Sequence, residues 1–286
     1  MIVDFHTHTF PDRMAARTVQ MLGQAAHIHP QTDATVKQLL ASSEKAGIDL
    51  SVILPVATKP SQVETINNSA AQINALYKEK GVLSFGGIHP AYEHPEEELE
   101  RIVSLGLKGI KIHPVYQGQN IDDPGYLRIL KKASELGLIV VTHAGQDIGF
   151  PGVIHCSPQM CRHVMDLIPS LTLVLAHMGG WHDWDEVPEV LKDTPVYIDT
   201  AFSLGQVDTA DDGHWPKGEP YLLSEDQAVR IIRAFGSERV LFGTDCPWAD
   251  QRDYVRALRN LPLTEKEKVN ILGDNAVKLL NLNKPV

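Results

Sequence analysis

Residues 2–8, Ile-Val-Asp-Phe-His-Thr-His, decide between two α/β folds for this chain. The segment begins as a short β-branched and aromatic run, which is typical of a buried strand. In an open, doubly wound sheet, the first strand is normally followed by a Gly-rich phosphate-binding loop. Here His6, Thr7 and His8 stand at that position, which favours a barrel over the open sheet.

Seven further apolar and β-branched runs follow along the chain. With Ile2–His6, the predicted strands are Leu50–Leu54, Val82–Ile88, Leu107–Ile112, Leu138–Thr142, Leu171–Ala176, Val196–Thr200 and Arg239–Thr244. Several are apolar almost throughout, as expected for parallel strands that are covered on both faces.

Helical patterns lie between these runs. Apolar residues at helical intervals predict a helix over Ala34–Ala46, and Asp123-Pro124 and Ser157-Pro158 are typical helix starts. The spacings Ser224-x-x-Gln227 and Thr264-x-x-Glu267 predict capping boxes ahead of two more helices. Strands and helices that alternate eight times predict an α/β fold, a single (β/α)8 TIM barrel.

The sequence predicts one domain over residues 1–286, because no Gly-, Ser- or Pro-rich linker and no low-complexity tract divides it. The longest irregular stretch is about Ser203–Tyr221. Since it follows the seventh strand, it would rise from the barrel face on which active sites lie. A substrate-covering loop and a solvated surface loop both fit this stretch.

The charge balance bears on the partners. The chain has 26 Lys and Arg against 36 Asp and Glu, a net charge of −10, without a basic run. Nucleic acids and anionic membranes need clustered positive charge, so we expect neither as a partner. Asp4 is an early carboxylate and no apolar stretch approaches the roughly 20 residues of a membrane span, so we expect neither signal peptide nor anchor. Three cysteines without Cys-x-x-Cys spacing indicate a reducing, cytoplasmic setting.

Two His-x-His pairs occur among the 13 histidines. Chance alone gives roughly 0.6 such pairs, so the spacing by itself is a weak signal. His27 and His29 lie in a polar stretch with no strand before it, and we interpret them as structural or surface residues. His6 and His8 end a strand, where alternate residues share a face, so both imidazoles are expected to point into the barrel mouth.

Three more polar residues, His143, His177 and Asp245, end predicted strands in the same way. The carboxyl ends of all strands converge on one face of a barrel. Imidazole and carboxylate ligands suit Zn²⁺, Mn²⁺ or Fe²⁺ and leave a coordination position for water. The sequence therefore predicts a metal site at the carboxyl ends of the strands.

These residues resemble the amidohydrolase superfamily, most closely its branch of small metal-dependent hydrolases and decarboxylases typified by aminocarboxymuconate semialdehyde decarboxylase. The resembling motifs are Val3–His8, Val141–Gly145, Leu175–Gly180 and Phe242–Pro247. The resemblance implies metal ligation by His6, His8, His143 and Asp245. It also implies that His177 lies close by as a catalytic residue or an additional ligand.

We expect one divalent ion, with Zn²⁺ ranked before Mn²⁺ or Fe²⁺. Lys111 ends the fourth strand, where binuclear members of the superfamily carry a carboxylated lysine that bridges two metals. The branch that this chain resembles is usually mononuclear, so one ion ranks ahead of two. As an ammonium group, Lys111 could orient an anionic substrate. His113 and Arg13 are the other substrate-binding candidates.

Three functions fit these residues. The first is hydrolysis of a small acidic amide, lactone or ester by metal-activated water, with Asp245 accepting the proton and His177 stabilising the oxyanion. The second is non-oxidative decarboxylation of a small carboxylic acid, with Arg13 gripping a remote carboxylate and His177 or water handling the proton. The third is non-catalytic metal binding, which water access disfavours. The oligomeric state stays open, with a homodimer as one state considered.

Overall fold

A computed structural model describes residues 1–215 and 222–282, in which short parallel strands alternate with helices. The strands are β1 (Val3–Thr7), β2 (Leu50–Ile53), β3 (Val82–Ser84), β4 (Gly86–Gly87), β5 (Gly109–Ile112), β6 (Ile139–Thr142), β7 (Gln146–Asp147), β8 (Phe150–Ile154), β9 (Leu173–Leu175), β10 (Tyr197–Asp199) and β11 (Val240–Leu241). The helices are α1 (Asp12–Ala26), α2 (Val36–Ala46), α3 (Val63–Tyr77), α4 (Pro95–Ser104), α5 (Pro114–Gln117), α6 (Pro124–Glu135), α7 (Pro158–Leu167), α8 (Glu186–Leu191), α9 (Glu225–Phe235), α10 (Gln251–Asn260), α11 (Glu265–Val269) and α12 (Asn275–Leu279).

Every predicted strand corresponds to a strand of the structure, in most cases a shorter one. The third predicted strand is divided at Phe85 into β3 and β4. The antiparallel hairpin of β7 and β8 has no counterpart in the prediction. Its strands carry Gly152 and Pro151 and lack the alternation of apolar residues that marks a strand in the sequence.

The predicted helix starts are confirmed, with one difference in chemistry. Ser157 accepts a hydrogen bond from a backbone N–H in the first turn of α7, and the capping boxes at Ser224 and Thr264 are both formed. Asp123 directly precedes α6, but its carboxylate accepts a hydrogen bond from the backbone of Asn120 instead of capping the helix.

The described residues fall into two compact units. The first consists of Met1–Ile53, Lys80–Val82 and Asp199–Val286, and the second of Leu54–Glu79 and Leu83–Ile198. The single domain over residues 1–286 stays a prediction. In the part of the chain that the structure describes, no helix combines the length and apolar character of a membrane span.

In the first unit, β1 lies between two parallel neighbours. β2 pairs with it, with Val3 opposite Leu50, and the segment that follows β11 pairs with it through a hydrogen bond from the Phe5 N–H to the Phe242 carbonyl oxygen (2.8 Å). The adjacent Thr200 N–H donates to Leu241 (3.1 Å). The carboxyl ends of these strands are therefore neighbours.

In the second unit, parallel pairing joins β4, β5, β6, β9 and β10 in that order. All residues of β5, β6 and β9 are buried, as the almost continuous apolar runs predict for strands covered on both faces. The residues just after these strands thus lie along one edge of the sheet.

The predicted irregular stretch Ser203–Tyr221 is described only up to residue 215. Thr209 forms an antiparallel bridge with Ile28, and the Trp215 indole N–H donates to carbonyl oxygens at the end of α1 (3.2 Å). This part of the stretch is therefore packed against the end of α1 within the first unit, and a covering role over substrate stays a prediction.

Candidate metal centre and histidine network

The first unit brings three predicted ligands together. Asp245 Oδ1 lies 3.0 Å from His8 Nε2 and 3.5 Å from His6 Nε2, and the two imidazole nitrogens are 3.2 Å apart. Ligand atoms at about 2.1 Å from a tetrahedral ion are about 3.4 Å from one another. The two rings meet at 73°, so their lone pairs can converge on one point. This donor set fits one divalent ion.

Asp199 determines which nitrogen His6 presents. Its Oδ2 lies 2.8 Å from His6 Nδ1, and both side chains are buried. Because an ionised carboxylate only accepts, Nδ1 carries the proton and the lone pair of Nε2 faces His8 and Asp245. Asp199 was not predicted, although it ends its strand as the other polar candidates do.

The backbone around Asp245 places its carboxylate beside the histidines. Its N–H donates to the His6 carbonyl oxygen (2.8 Å), and the His8 N–H donates to the carbonyl oxygen of Cys246 (2.6 Å). Asp245 itself is in the left-handed region, with φ of 68°. Non-glycine residues adopt this conformation at a cost and are found there preferentially at functional sites.

Asp4 acts as a hydrogen-bond partner in the core. It accepts hydrogen bonds from the N–H of His6, the N–H and hydroxyl of Thr244, and the amide of Gln251. Burial raises the pKa of Asp4 to about 7, against the opposing effect of these hydrogen bonds. The carboxylate thus ties β1 to the segment that carries Asp245.

The second unit brings His143 and His177 together. His177 Nε2 lies 3.0 Å from His143 Nδ1, and the Trp184 indole donates to the His177 carbonyl oxygen (2.9 Å). Burial lowers the pKa of His143 well below its usual value. The electrostatic effects of His113, His177 and Lys111 act in the same direction, and that of Asp147 opposes them. A lowered pKa favours the neutral imidazole, the form that a metal ligand requires. Metal ligation by His143 together with His6, His8 and Asp245 stays a prediction.

His113 and Asp147 lie next to His143 in the same unit. Asp147 Oδ2 is 3.4 Å from His113 Nε2 and 3.9 Å from His143 Nε2. These distances alone would suit an ion, but the rings of His113 and His143 are stacked at 4.2 Å and 15°. In-plane lone pairs of stacked rings lie in parallel planes and cannot both point at one ion. This group therefore fits a polar network better than a metal site.

The other predicted site residues occupy two different environments. Lys111 is buried in β5, with 1% of its surface exposed, and Arg13 is exposed in the first turn of α1. His113 is buried and also stacks on Tyr116 at 3.8 Å. Asp147 was not predicted, because its place beside the histidines depends on the unpredicted hairpin.

Comparison with known proteins assigns the family. The Amidohydrolase family model matches residues 3–282, so the chain belongs to this family and is an enzyme of the amidohydrolase superfamily. A curated relative is the 2-amino-3-carboxymuconate-6-semialdehyde decarboxylase of Dictyostelium discoideum, which is 24% identical over 219 residues. The alignment covers 65% of this chain and only 57% of that protein.

Solved structures give the fold. An uncharacterised TIM-barrel protein from Bordetella bronchiseptica matches with a TM-score of 0.76 and 18% identity over 98% of each chain. The 5-carboxyvanillate decarboxylase of Novosphingobium aromaticivorans, complexed with manganese and a nitrobenzoic acid, matches with a TM-score of 0.69 and 15% identity. That match covers 99% of this chain and 96% of the other. The predicted (β/α)8 TIM-barrel fold is thereby confirmed.

Proposed function

We propose that this protein is a metal-dependent, non-oxidative decarboxylase of a small carboxylic acid. The observation that carries the proposal is the group of His6, His8 and Asp245, with the His6 ring held by Asp199, in a chain of the amidohydrolase family. On the sequence alone, hydrolysis ranked first. The names of the relatives favour decarboxylation instead.

His6, His8 and Asp245 would hold one divalent ion, and Asp199 keeps the lone pair of His6 Nε2 directed at it. A bound divalent ion supplies positive charge that orients substrate oxygens and stabilises the negative charge that develops as CO₂ leaves. The manganese in the Novosphingobium enzyme supports Mn²⁺ beside Zn²⁺ as the ion to test.

For His177 we propose the catalytic role that the family resemblance implies. In the reaction, the bond between the substrate carbon and its carboxylate breaks, CO₂ leaves, and the electron pair stays on the carbon. That carbon then takes up one proton, which we assign to His177. His143 Nδ1 lies 3.0 Å from His177 Nε2, and this contact orients the His177 ring. Arg13 and Lys111 remain the candidates for binding a second anionic group of the substrate.

The test uses metal-analysed protein loaded with Mn²⁺ or Zn²⁺ and two probes taken from the relatives' names, 5-carboxyvanillate and 2-amino-3-carboxymuconate-6-semialdehyde. We expect one CO₂ per product molecule and, in D₂O, one deuterium on the product carbon. In H₂¹⁸O, the organic product of 5-carboxyvanillate, which has no aldehyde to exchange its oxygen with water, should gain no ¹⁸O. A product that gains ¹⁸O without loss of CO₂, from this probe or from amides and lactones, would show a hydrolase instead.

A control built into the chain makes this test specific. The double variant His6→Ala, His8→Ala should lose CO₂ release. The double variant His27→Ala, His29→Ala removes a second His-x-His pair and should retain the activity, because that pair lies just after α1, where His27 pairs with Asp212 and the His29 N–H donates to Asp208. Equal loss in both variants would contradict the assigned site.

A further inference from the structure

We propose that the β7–β8 hairpin positions the imidazole of His143, through the Gln146 carbonyl oxygen and the Asp147 carboxylate. Neither residue belongs to the predicted ligand set. The proposal rests on the proposed function, because both residues would act through His143 and its neighbour His177.

The Gln146 carbonyl oxygen fixes the tautomer of His143. It lies 2.9 Å from His143 Nε2, and a carbonyl oxygen only accepts hydrogen bonds. Nε2 must therefore carry the proton, and the lone pair of the neutral ring is on Nδ1. Nδ1 is the atom that lies 3.0 Å from His177 Nε2. The hairpin backbone thus determines which nitrogen of His143 is available for chemistry.

The Asp147 carboxylate faces the N–H edges of two rings. Its Oδ1 accepts a hydrogen bond from the Gly149 N–H (2.8 Å), which holds the carboxylate in place, and Oδ2 lies beside Nε2 of both His113 and His143. His113 Nδ1 accepts from the Tyr116 N–H (3.4 Å), so His113 also carries its proton on Nε2. One buried negative charge therefore favours the Nε2–H form of both rings.

The hairpin is held close to the strand ends by a contact that only glycine permits. Gly145 has φ of 79°, and a Cβ added there would lie 2.3 Å from the Trp181 backbone nitrogen. The Gln146 N–H donates to the Trp181 carbonyl oxygen (3.0 Å), and the Trp181 N–H donates to Ala144 (2.9 Å). These backbone bonds fix Gln146 and Asp147 relative to His143.

The first test is a spectrum of the zinc-loaded protein with ¹⁵N-labelled histidine, in which ¹⁵N shifts distinguish the two tautomers. The His143 signals are assigned by comparison with His143→Gln. We expect the Nε2–H form for His143 and His113. In Asp147→Asn, which keeps the size of the side chain and removes its charge, a measurable Nδ1–H fraction of either ring is expected. An Nδ1–H form of His143 in the wild type would overturn the proposal.

The second test is kinetic. Loss of a group that orients a metal-site histidine typically costs about 10- to 100-fold in activity. Asp147→Asn should lower kcat by that factor with KM and metal content unchanged, and Asp147→Glu should recover part of the loss. The matched control is Asp166→Asn, which removes an exposed carboxylate paired with Arg162 in the same unit and should leave kcat unchanged.

The two tests separate this proposal from the proposed function. If the tautomers respond as expected but no probe releases CO₂, the decarboxylase assignment fails and the positioning role stands. If CO₂ is released and Asp147→Asn changes neither kcat nor the spectra, the decarboxylase assignment stands and the role of Asp147 is wrong.

Discussion

Asp245 is the residue at which the two candidate reactions differ. In a hydrolase it would accept the proton of the attacking water, and loss of a general base costs about 10² to 10⁴ in rate. In the proposed decarboxylase it acts as a ligand beside His6 and His8. Asp245→Asn keeps the size and one ligand oxygen but lacks the charge. We therefore expect weaker metal binding and a turnover that is largely regained at saturating metal, measured as CO₂ release during a metal titration. A deficit of 10² or more with the ion bound would instead assign proton transfer to Asp245.

His6 and His8 should be needed for the metal and dispensable for the fold. The double variant His6→Ala, His8→Ala should lose its bound ion, since two of three convergent donors are gone. Strand and helix layers hold a barrel together, not the residues at its rim, so the far-ultraviolet circular dichroism should be retained. Elemental analysis after purification is the measurement. Stoichiometric metal in this variant would exclude both residues as ligands.

At the scale of elements, the β7–β8 hairpin and the residue just before it offer a matched pair of glycines. Gly145 and Gly152 have the same φ of 79°, but a Cβ meets the Trp181 backbone at the first and nothing within 4 Å at the second. Gly152→Ala should cost about 1–2 kcal/mol of unfolding free energy from the left-handed backbone alone. Gly145→Ala should cost about 2–5 kcal/mol, because the clash is added. Urea unfolding of both variants measures the difference, and equal losses would mean that the close contact with Trp181 is relaxed without cost.

The elements also show what the sequence could predict. Each of the eight predicted runs corresponds to a strand, with the third divided into β3 and β4, and the local chemistry of Ser224 and Thr264 indicated helix starts. The polar residues His6, His8, His143, His177 and Asp245, at the ends of four of these runs, were the basis of the predicted site. The hairpin escaped prediction because its strands lack alternating apolar residues and because β7 is held by a backbone bond from Gln146 to Trp181, which is distant in sequence. Asp147 was missed together with the hairpin. Asp199 could have been predicted, because it is a polar residue at the end of a strand, as His143 is.

At the scale of the whole molecule, the metal content of the chain tests the classification within the superfamily. Lys111 would have to be carboxylated to bridge two ions, and the structure places it buried in β5, where its charge contributes to lowering the pKa of His143. The convergent donors His6, His8 and Asp245 fit one ion, whereas the stacking of His113 on His143 disfavours a second ion there.

We therefore expect about one metal per chain and no dependence of activity on bicarbonate, since a carbamate is not required. Elemental analysis measures the metal content, and activity assays with and without added bicarbonate measure the dependence. Intact-protein mass spectrometry under native conditions detects a carboxyl group on Lys111. The variant Lys111→Met removes the amine and keeps an apolar stem, and it should retain one ion per chain even if substrate binding weakens. Two ions per chain in the wild type, one in Lys111→Met and a mass increment of a carboxyl group would together establish a binuclear enzyme.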